Sequence, residues 1–379
     1  MITFTIPNTV ITGTGCLCEA GKQAKRLGRS ALMVTGRASA RKSGALSRVC
    51  DLLTEAGIKV EVFAGVEHDP ACETVDAARD MIRSRSCDMV VGMGGGSALD
   101  VAKAAAALCH EDEPTRAFYD GLPIPGRGLP IMAIPTTFGT GSEATRVSVL
   151  SSSDRDADGR EIATKKSIRH DCMLPQVAIV DPALGVYMPP RLTAACGMDA
   201  LTQAIESYFS RYANDLTDGL AMQAVRLLAE GLPRSVTDGG DIRSREQCAC
   251  GSLLAGMALH NARLGLVHGM AHPLGIRHGI PHGEICAMLL PHVLRFNREA
   301  VPKKYSMLSA LFGTDAADFC DVLLERFGLP CTLNLPMSDS ELSWLVQETL
   351  SSGSTQANPR AVSADNVISI AKLVMARGR

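Results

Sequence analysis

From its start to about residue 185 the chain alternates short apolar runs with amphipathic stretches, and beyond about residue 187 the short runs stop. Ala31–Thr35, Lys59–Phe63, Asp88–Val91, Pro130–Ile134 and Val177–Val180 have the length and the β-branched, apolar character of buried strands. Ala45–Ala56, Thr74–Ser84 and Ser97–Leu108, lying between them, carry helical periodicity. Strands separated by helices cannot close as hairpins, so they predict a parallel sheet covered on both faces. The polar stretch Ser151–Arg160 is expected as an exposed hairpin or loop. Farther on, amphipathic stretches near 191–210, 215–230, 243–261, 301–312, 315–327, 338–350 and 364–377 predict helices alone. The expected architecture is an α/β domain over 1–185 and an all-helical domain over 186–379, with a cleft between them.

Bulk properties remove several classes. The 379 residues carry a net charge of −2, which gives no electrostatic reason to expect nucleic acid or an anionic membrane as partner. No run approaches the roughly 18 apolar residues that a membrane span needs. The N-terminus has no basic stretch followed by an apolar one, so no signal peptide is expected. Thirteen cysteines, an odd number without a C-x-x-C pair, read as reduced thiols of a cytoplasmic protein rather than as a disulfide framework or zinc ribbon.

Two loops have phosphate-binding chemistry. The run Val90–Asp100 is a strand, the glycine turn Gly94–Gly95–Gly96, and a helix start at Ser97. Glycines let the backbone approach a pyrophosphate, and a helix N-terminus offers unpaired N–H groups. The second loop, Pro135–Glu143, again just past a strand, offers the hydroxyls of Thr136, Thr137, Thr140 and Ser142 with two glycines. Either alone also reads as a tight turn with a helix cap, but two at neighbouring strand ends favour a dinucleotide. The first strand ends in Gly36 with Arg37, Ser39, Arg41, Lys42 and Ser43 after it, where an acidic residue would hold the ribose 2′-hydroxyl of NAD(H). With Gly36, Ser39 and Lys42 at that place, NADP(H) is expected over NAD(H), the alternative being a merely solvated basic loop.

The helical half holds a second constellation. Asp199 and Gln203 are four apart on one helix face, as are His268 and His272, and histidines crowd the stretch 260–292, His282 among them. A carboxylate and imidazoles suit a divalent ion such as Fe²⁺ or Zn²⁺ with a position left open for substrate.

With these residues in hand the chain resembles the iron-containing (group III) alcohol dehydrogenases. The matching motifs are GGGSALDVAKA, PTTFGTGSEAT, GMDALTQAIES, NARLGLVHGMAHPLG with PHG, and Asn358–Pro359–Arg360, in the family's order across essentially the whole chain. The resemblance implies a dinucleotide-binding domain and a helical metal domain of dehydroquinate synthase-like architecture, cofactor and metal meeting in the cleft. It implies a homodimer or larger assembly. Asp199, His268 and His282 match three metal ligands, and His272 matches a site histidine near cofactor and substrate. Gly95, Gly96 and Ser97 match pyrophosphate contacts; Asp100, Thr137, Thr140 and Ser142 match other cofactor-site positions. Gly36 stands where NAD-preferring members have Asp. One position departs: the second ligand, usually His, is here Gln203, whose carbonyl is a harder and weaker ligand than imidazole.

The expected activity is reversible hydride transfer between NAD(P)(H) and a small alcohol or aldehyde, with His272 relaying the proton. Arg146, His260, Arg263 and Arg277 flank the motifs and raise the expectation of an anionic substrate, against their being ordinary ion-pair residues. Two other readings remain: a dehydroquinate-synthase-like cyclase, and an NADP(H)-binding sensor or scaffold with a degenerate metal site.

Overall fold

The computed structural model describes residues 2–37, 39–155, 161–333 and 337–375. The chain divides into two compact units, Thr5–Tyr187 and Met188–Arg379 with Met1–Phe4.

The first unit is α/β. Its strands are β1 (Thr9–Thr12), β2 (Ser30–Gly36), β3 (Lys59–Val66), β4 (Met89–Gly94), β5 (Ile131–Pro135), β6 (Val147–Arg155), β7 (Glu161–Arg169) and β8 (Val177–Val180). Its helices are α1 (Ala20–Ala24), α2 (Ser39–Lys42), α3 (Ala45–Glu55), α4 (Cys72–Arg85), α5 (Gly96–Leu108) and α6 (Thr115–Tyr119). Six strands form one parallel sheet in the order β1-β8-β5-β4-β2-β3. Successive residues of a strand point to opposite faces, and β2 shows why both faces need cover. Leu32 and Val34 enter a core closed by α4, α5 and α6, whereas Ala31 and Met33 enter one closed by α1 and α3. Fully burying one such side chain stabilises by about 1.5–3 kcal/mol, so the continuous apolar run of β2 is what a two-sided strand requires.

Sequence reasoning overlooked β1, a four-residue edge strand with no fully buried residue, too short and too exposed to leave a periodic signal. The expected hairpin exists as β6 paired antiparallel with β7, from Val147 against Arg169 to Arg155 against Glu161. Its tip, 156–160, lies outside the described residues.

The second unit is helical: α7 (Pro190–Phe209), α8 (Asp215–Thr237), α9 (Ile242–Ala262), α10 (Leu266–His278), α11 (His282–Asn297), α12 (Pro302–Phe312), α13 (Ala316–Phe327), α14 (Asp339–Ser351), α15 (Gly353–Ala357) and α16 (Ala364–Met375). Many of the starts are written in the sequence. Pro190 and Pro302 stand in the first turns of α7 and α12, where the missing N–H costs nothing. Asn214 and Thr217 form a reciprocal capping box on α8, and Ser338 and Glu341 another on α14. α8 runs through Pro233 to Thr237, about two turns farther than expected, its end tied to α9 by a 2.9 Å bond from Ser235 Oγ to Ser244 Oγ. Helix α7 is buried along almost all its length and packs against α8, α9 and α11. Polar groups on its inner face are therefore taken from water and need partners.

Candidate metal centre and cofactor loops

Asp199, Gln203 and Glu206 occupy one stripe of α7, at spacings of four and three, and all three are buried. Two helices bring histidines to this stripe. Helix α10 carries His268 and His272 one turn apart, and α11 begins at His282. The approach of α11 depends on Gly283: a Cβ there would lie 2.3 Å from the carbonyl oxygen of Ala195 on α7. A paired clamp beside it, Arg191 Nε and Nη2 to the two oxygens of Glu284 at 2.7 and 2.9 Å, holds the same two helices together.

The result is a tight cluster. Nε2 of His268 lies 3.3 Å and Nε2 of His282 lies 3.8 Å from Oδ1 of Asp199. Sγ of Cys286, one turn into α11, is 3.9 Å from Nε2 of His268 and 3.6 Å from Nε2 of His282. One donor atom from each of Asp199, His268, His282 and Cys286 falls within 4.8 Å of all the others. On its other side His268 donates from Nδ1 to Glu206 Oε2 at 2.6 Å, which leaves Nε2 turned inward. Glu206 also accepts from the backbone N–H of Val267 at 2.6 Å, a carboxylate placed at the start of α10. Burial works against a cationic His268, but Cys286, Asp199 and Glu206 outweigh it and hold its pKa well above an ordinary histidine's.

These residues fit a divalent cation. Asp199 and Glu206 are two buried carboxylates whose ion pairs, among the described residues, are with histidines alone. Uncompensated buried charge costs several kcal/mol. Oδ1 of Asp199 faces His268 at 3.3 Å without hydrogen-bond geometry, and Oε1 of Gln203 is buried without a hydrogen-bond partner. Two buried oxygens left without hydrogen-bond partners beside imidazole nitrogens are what a cation would satisfy. His272 is only partly buried; its ring stacks on that of His282, centroids 5.0 Å apart and planes 14° from parallel, so it flanks the cluster.

In the α/β unit the C-terminal ends of β2, β4 and β5 lie side by side, with Thr35 against Met93 and Gly94 against Pro135. The two sequence loops are packed together: Thr136 N–H donates to Gly94 O at 2.9 Å, and a Cβ on Gly96 would come within 2.8 Å of Thr140 Cγ2. No side chain caps α5 at Gly95, so Gly95, Gly96 and Ser97 present its first-turn N–H groups, as a bound phosphate would use them. Thr136, Thr137 and Ser97 are partly exposed and Thr140 is exposed. Asp100 and Ser142 are turned inward. Ser142 Oγ donates to Asp100 Oδ1 at 2.6 Å, Val149 N–H donates to Asp100 Oδ2 at 3.0 Å, and the Lys103 ammonium lies 3.1 Å from Asp100 Oδ1. Lys103 is fully buried, and burial lowers its pKa. Burial also pushes the neighbouring Glu143 carboxyl up to about 7. At the end of β2, Gly36 is half-buried and Lys42 exposed on α2; Ala38 and the side chain of Ser39 lie outside the described residues. Glu67, just past β3, is an acidic neighbour of Arg37 that sequence reading did not place there, and its carboxylate is engaged by Ala71 N–H and the Thr74 hydroxyl.

Three residues of the metal region escaped sequence reading. Glu206 was detectable, seven after Asp199 on the same face, and Cys286 four after His282. Asn358, quoted only as part of a motif, is buried and accepts the Leu266 N–H at 3.2 Å and an amide N–H of Asn297 at 2.9 Å, thereby fixing the start of α10.

Residues 7–182 match the family model of the iron-containing alcohol dehydrogenases, and 193–375 match the C-terminal model of the same family. A 1,3-propanediol dehydrogenase of Klebsiella pneumoniae is 37% identical over 98% of each chain. An NADPH-dependent butanol dehydrogenase of Clostridium saccharobutylicum is 34% identical over 99% of this chain and 98% of that one. The crystal structure of a sulfoacetaldehyde reductase from Bifidobacterium kashiwanohense in complex with NAD+ superposes with a TM-score of 0.89 at 32% identity, covering 100% of both chains. The chain belongs to the iron-containing alcohol dehydrogenase family.

Proposed function

We propose that the protein is a metal-dependent alcohol dehydrogenase or aldehyde reductase that exchanges hydride between NADP(H) and a small alcohol or aldehyde. The observation that carries this reading is the convergence of Asp199, His268 and His282 on one point, with Oδ1 of Asp199 lacking hydrogen-bond geometry to either imidazole. These three would hold the metal; Gln203, one turn along α7, stands where the family has its further histidine ligand. A divalent metal there supplies Lewis acidity toward a substrate oxygen, and the nicotinamide supplies the hydride chemistry. Glu206 fixes the tautomer of His268, so that Nε2 presents its lone pair. His272, beside His282 and partly accessible, is placed to exchange the substrate proton with water.

The cofactor is proposed to lie against the ends of β2, β4 and β5, its pyrophosphate at Gly94–Ser97 and its other contacts at Thr136, Thr137 and Thr140. Asp100 and Ser142 then act by fixing the loop through Lys103. Exposed Arg37, Arg41 and Lys42 after Gly36 support NADP(H) over NAD(H). One relative is named for NADPH, another for NAD, and one structural neighbour holds NAD+.

For the substrate, the neutral alcohols named for the first two relatives support a small neutral aldehyde or alcohol. An anionic one is favoured by the sulfoacetaldehyde neighbour alone. Arg146 pairs with Asp171, Arg277 stacks on Trp344 and lies 3.7 Å from Glu341, and Arg263 stacks on Tyr212, so these arginines have local partners. Faster turnover of propanal than of succinic semialdehyde is expected, and the reverse would establish the anionic class. Repeated consumption of NADPH would dispose of the cyclase and sensor readings. Dimeric assembly and a cytoplasmic location are part of the same proposal; among the described residues no helix is long and apolar enough to cross a membrane. The test is His268→Ala: bound metal and turnover should both fall by more than about 100-fold, beyond the range that loss of an outer partner produces. Intact turnover and metal content would refute the assignment.

A further inference from the structure

With an amide, Gln203, at the second α7 position, the centre has room for a donor from another helix. We propose that Cys286, and not Gln203, supplies the fourth protein ligand, making a centre of one carboxylate oxygen, two imidazole nitrogens and one thiolate sulfur. This rests on the metal-centre reading above and adds the identity of the donor set.

The distances carry the inference. With metal–nitrogen and metal–oxygen bonds of about 2.0–2.1 Å and a metal–sulfur bond of about 2.3 Å, tetrahedral coordination sets ligand atoms about 3.3–3.6 Å apart. The cluster gives 3.3 and 3.8 Å from Asp199 Oδ1 to the two imidazole nitrogens, and 3.9 and 3.6 Å from Cys286 Sγ to the same nitrogens. Four of the six edges thus fall within about 0.5 Å of those a tetrahedral ion would impose, and the remaining two are no longer than 4.8 Å.

Softness points the same way: a thiolate is a softer donor than an amide oxygen and favours zinc over a hard ion. Cys286 is completely buried and lies one helical turn beyond His282, so the same turn of α11 delivers both donors. On binding, the zinc–sulfur bond forms as the thiol proton leaves to solvent, with no change of oxidation state. Four protein ligands close the tetrahedron, so a substrate oxygen must enter as a fifth neighbour.

The test is zinc K-edge X-ray absorption on the full-length protein loaded with Zn²⁺ alone. The expected spectrum of the wild type at stoichiometric zinc contains one sulfur scatterer at about 2.3 Å beside nitrogen and oxygen at about 2.0–2.1 Å. Cys286→Ser should lose the sulfur shell and bind zinc more weakly by more than about tenfold in competition with a chelator. Gln203→Ala should keep the shell. The Cys286→Ser comparison separates this sulfur from the twelve other cysteines. Full zinc occupancy with nitrogen and oxygen neighbours only would overturn the thiolate while leaving the metal centre standing. A wild type that retains no zinc would overturn both.

Discussion

Nδ1 of His268 and Oε2 of Glu206 are 2.6 Å apart in the buried interior of the helical unit. That bond decides which nitrogen of His268 faces Asp199, because an imidazole that donates from Nδ1 keeps its lone pair on Nε2. Glu206→Gln retains the size and one acceptor but loses the charge. Metal affinity should fall about 10–100-fold, the range for outer partners of a ligating histidine. Turnover should recover in excess metal. Equilibrium dialysis against Zn²⁺ or Fe²⁺ measures the first, and unchanged affinity would remove Glu206 from the positioning role.

Gly283 is the place where α11 meets α7. A Cβ 2.3 Å from Ala195 O cannot be accommodated without moving one helix, so Gly283→Ala should cost about 1–3 kcal/mol by overpacking. It should also weaken metal binding, since His282 moves with α11. Gly219→Ala is the comparison: a Cβ there meets nothing within 4 Å, and in a helix the change is expected to be neutral or stabilising by up to about 1 kcal/mol. Thermal melts with and without metal distinguish the two.

Gly36 tests cofactor choice. A Cβ at this position would meet only Val66 O at 3.9 Å, so a side chain fits. An Asp there would accept from a ribose hydroxyl and repel a 2′-phosphate. Gly36→Asp should lower the ratio of kcat/KM for NADPH to that for NADH by at least about tenfold, or about 1.4 kcal/mol. A ratio that does not move would place the adenosine ribose elsewhere.

Glu143 gives a pH-dependent prediction. Its carboxyl, buried between sheet and loop, is pushed up to about 7 from the ordinary 4.5. The folded chain therefore keeps a proton that the unfolded chain releases across that window. Stability from this group is greatest below pH 4.5 and is lost as pH rises through 7, by on the order of 3 kcal/mol. Glu143→Gln removes the dependence. Its melting temperature should gain on the wild type as pH rises from 5 to 8, and a constant difference would contradict the argument.

How far the sequence led depended on the range of the interactions. Strands β2, β4, β5 and β8 were legible because burial on both faces writes continuous apolar runs, and the helices because caps and periodicity are local. β1 was not, since an edge strand is recognised by its partner β8, whose paired residues lie 168 positions on. Asp199, His268 and His282 could be named from spacing and resemblance, and they do converge. Cys286 was passed over because a thiol that pairs with no other cysteine reads as core; its meaning comes from α11 lying against α7, which Gly283 permits. The inward turn of Asp100 and Ser142 likewise depends on Lys103, whose fully buried ammonium could not be foreseen from a helical lysine three residues after Asp100.

The most direct test is NADPH and NADH oxidation with a panel of neutral and anionic aldehydes, alongside elemental analysis of the same anaerobically purified protein. Many turnovers per chain are expected, faster with NADPH, in protein holding close to one zinc or iron, with turnover lost when the metal is stripped. Undiminished turnover in metal-free protein, or no turnover with any aldehyde in fully loaded protein, would contradict that expectation.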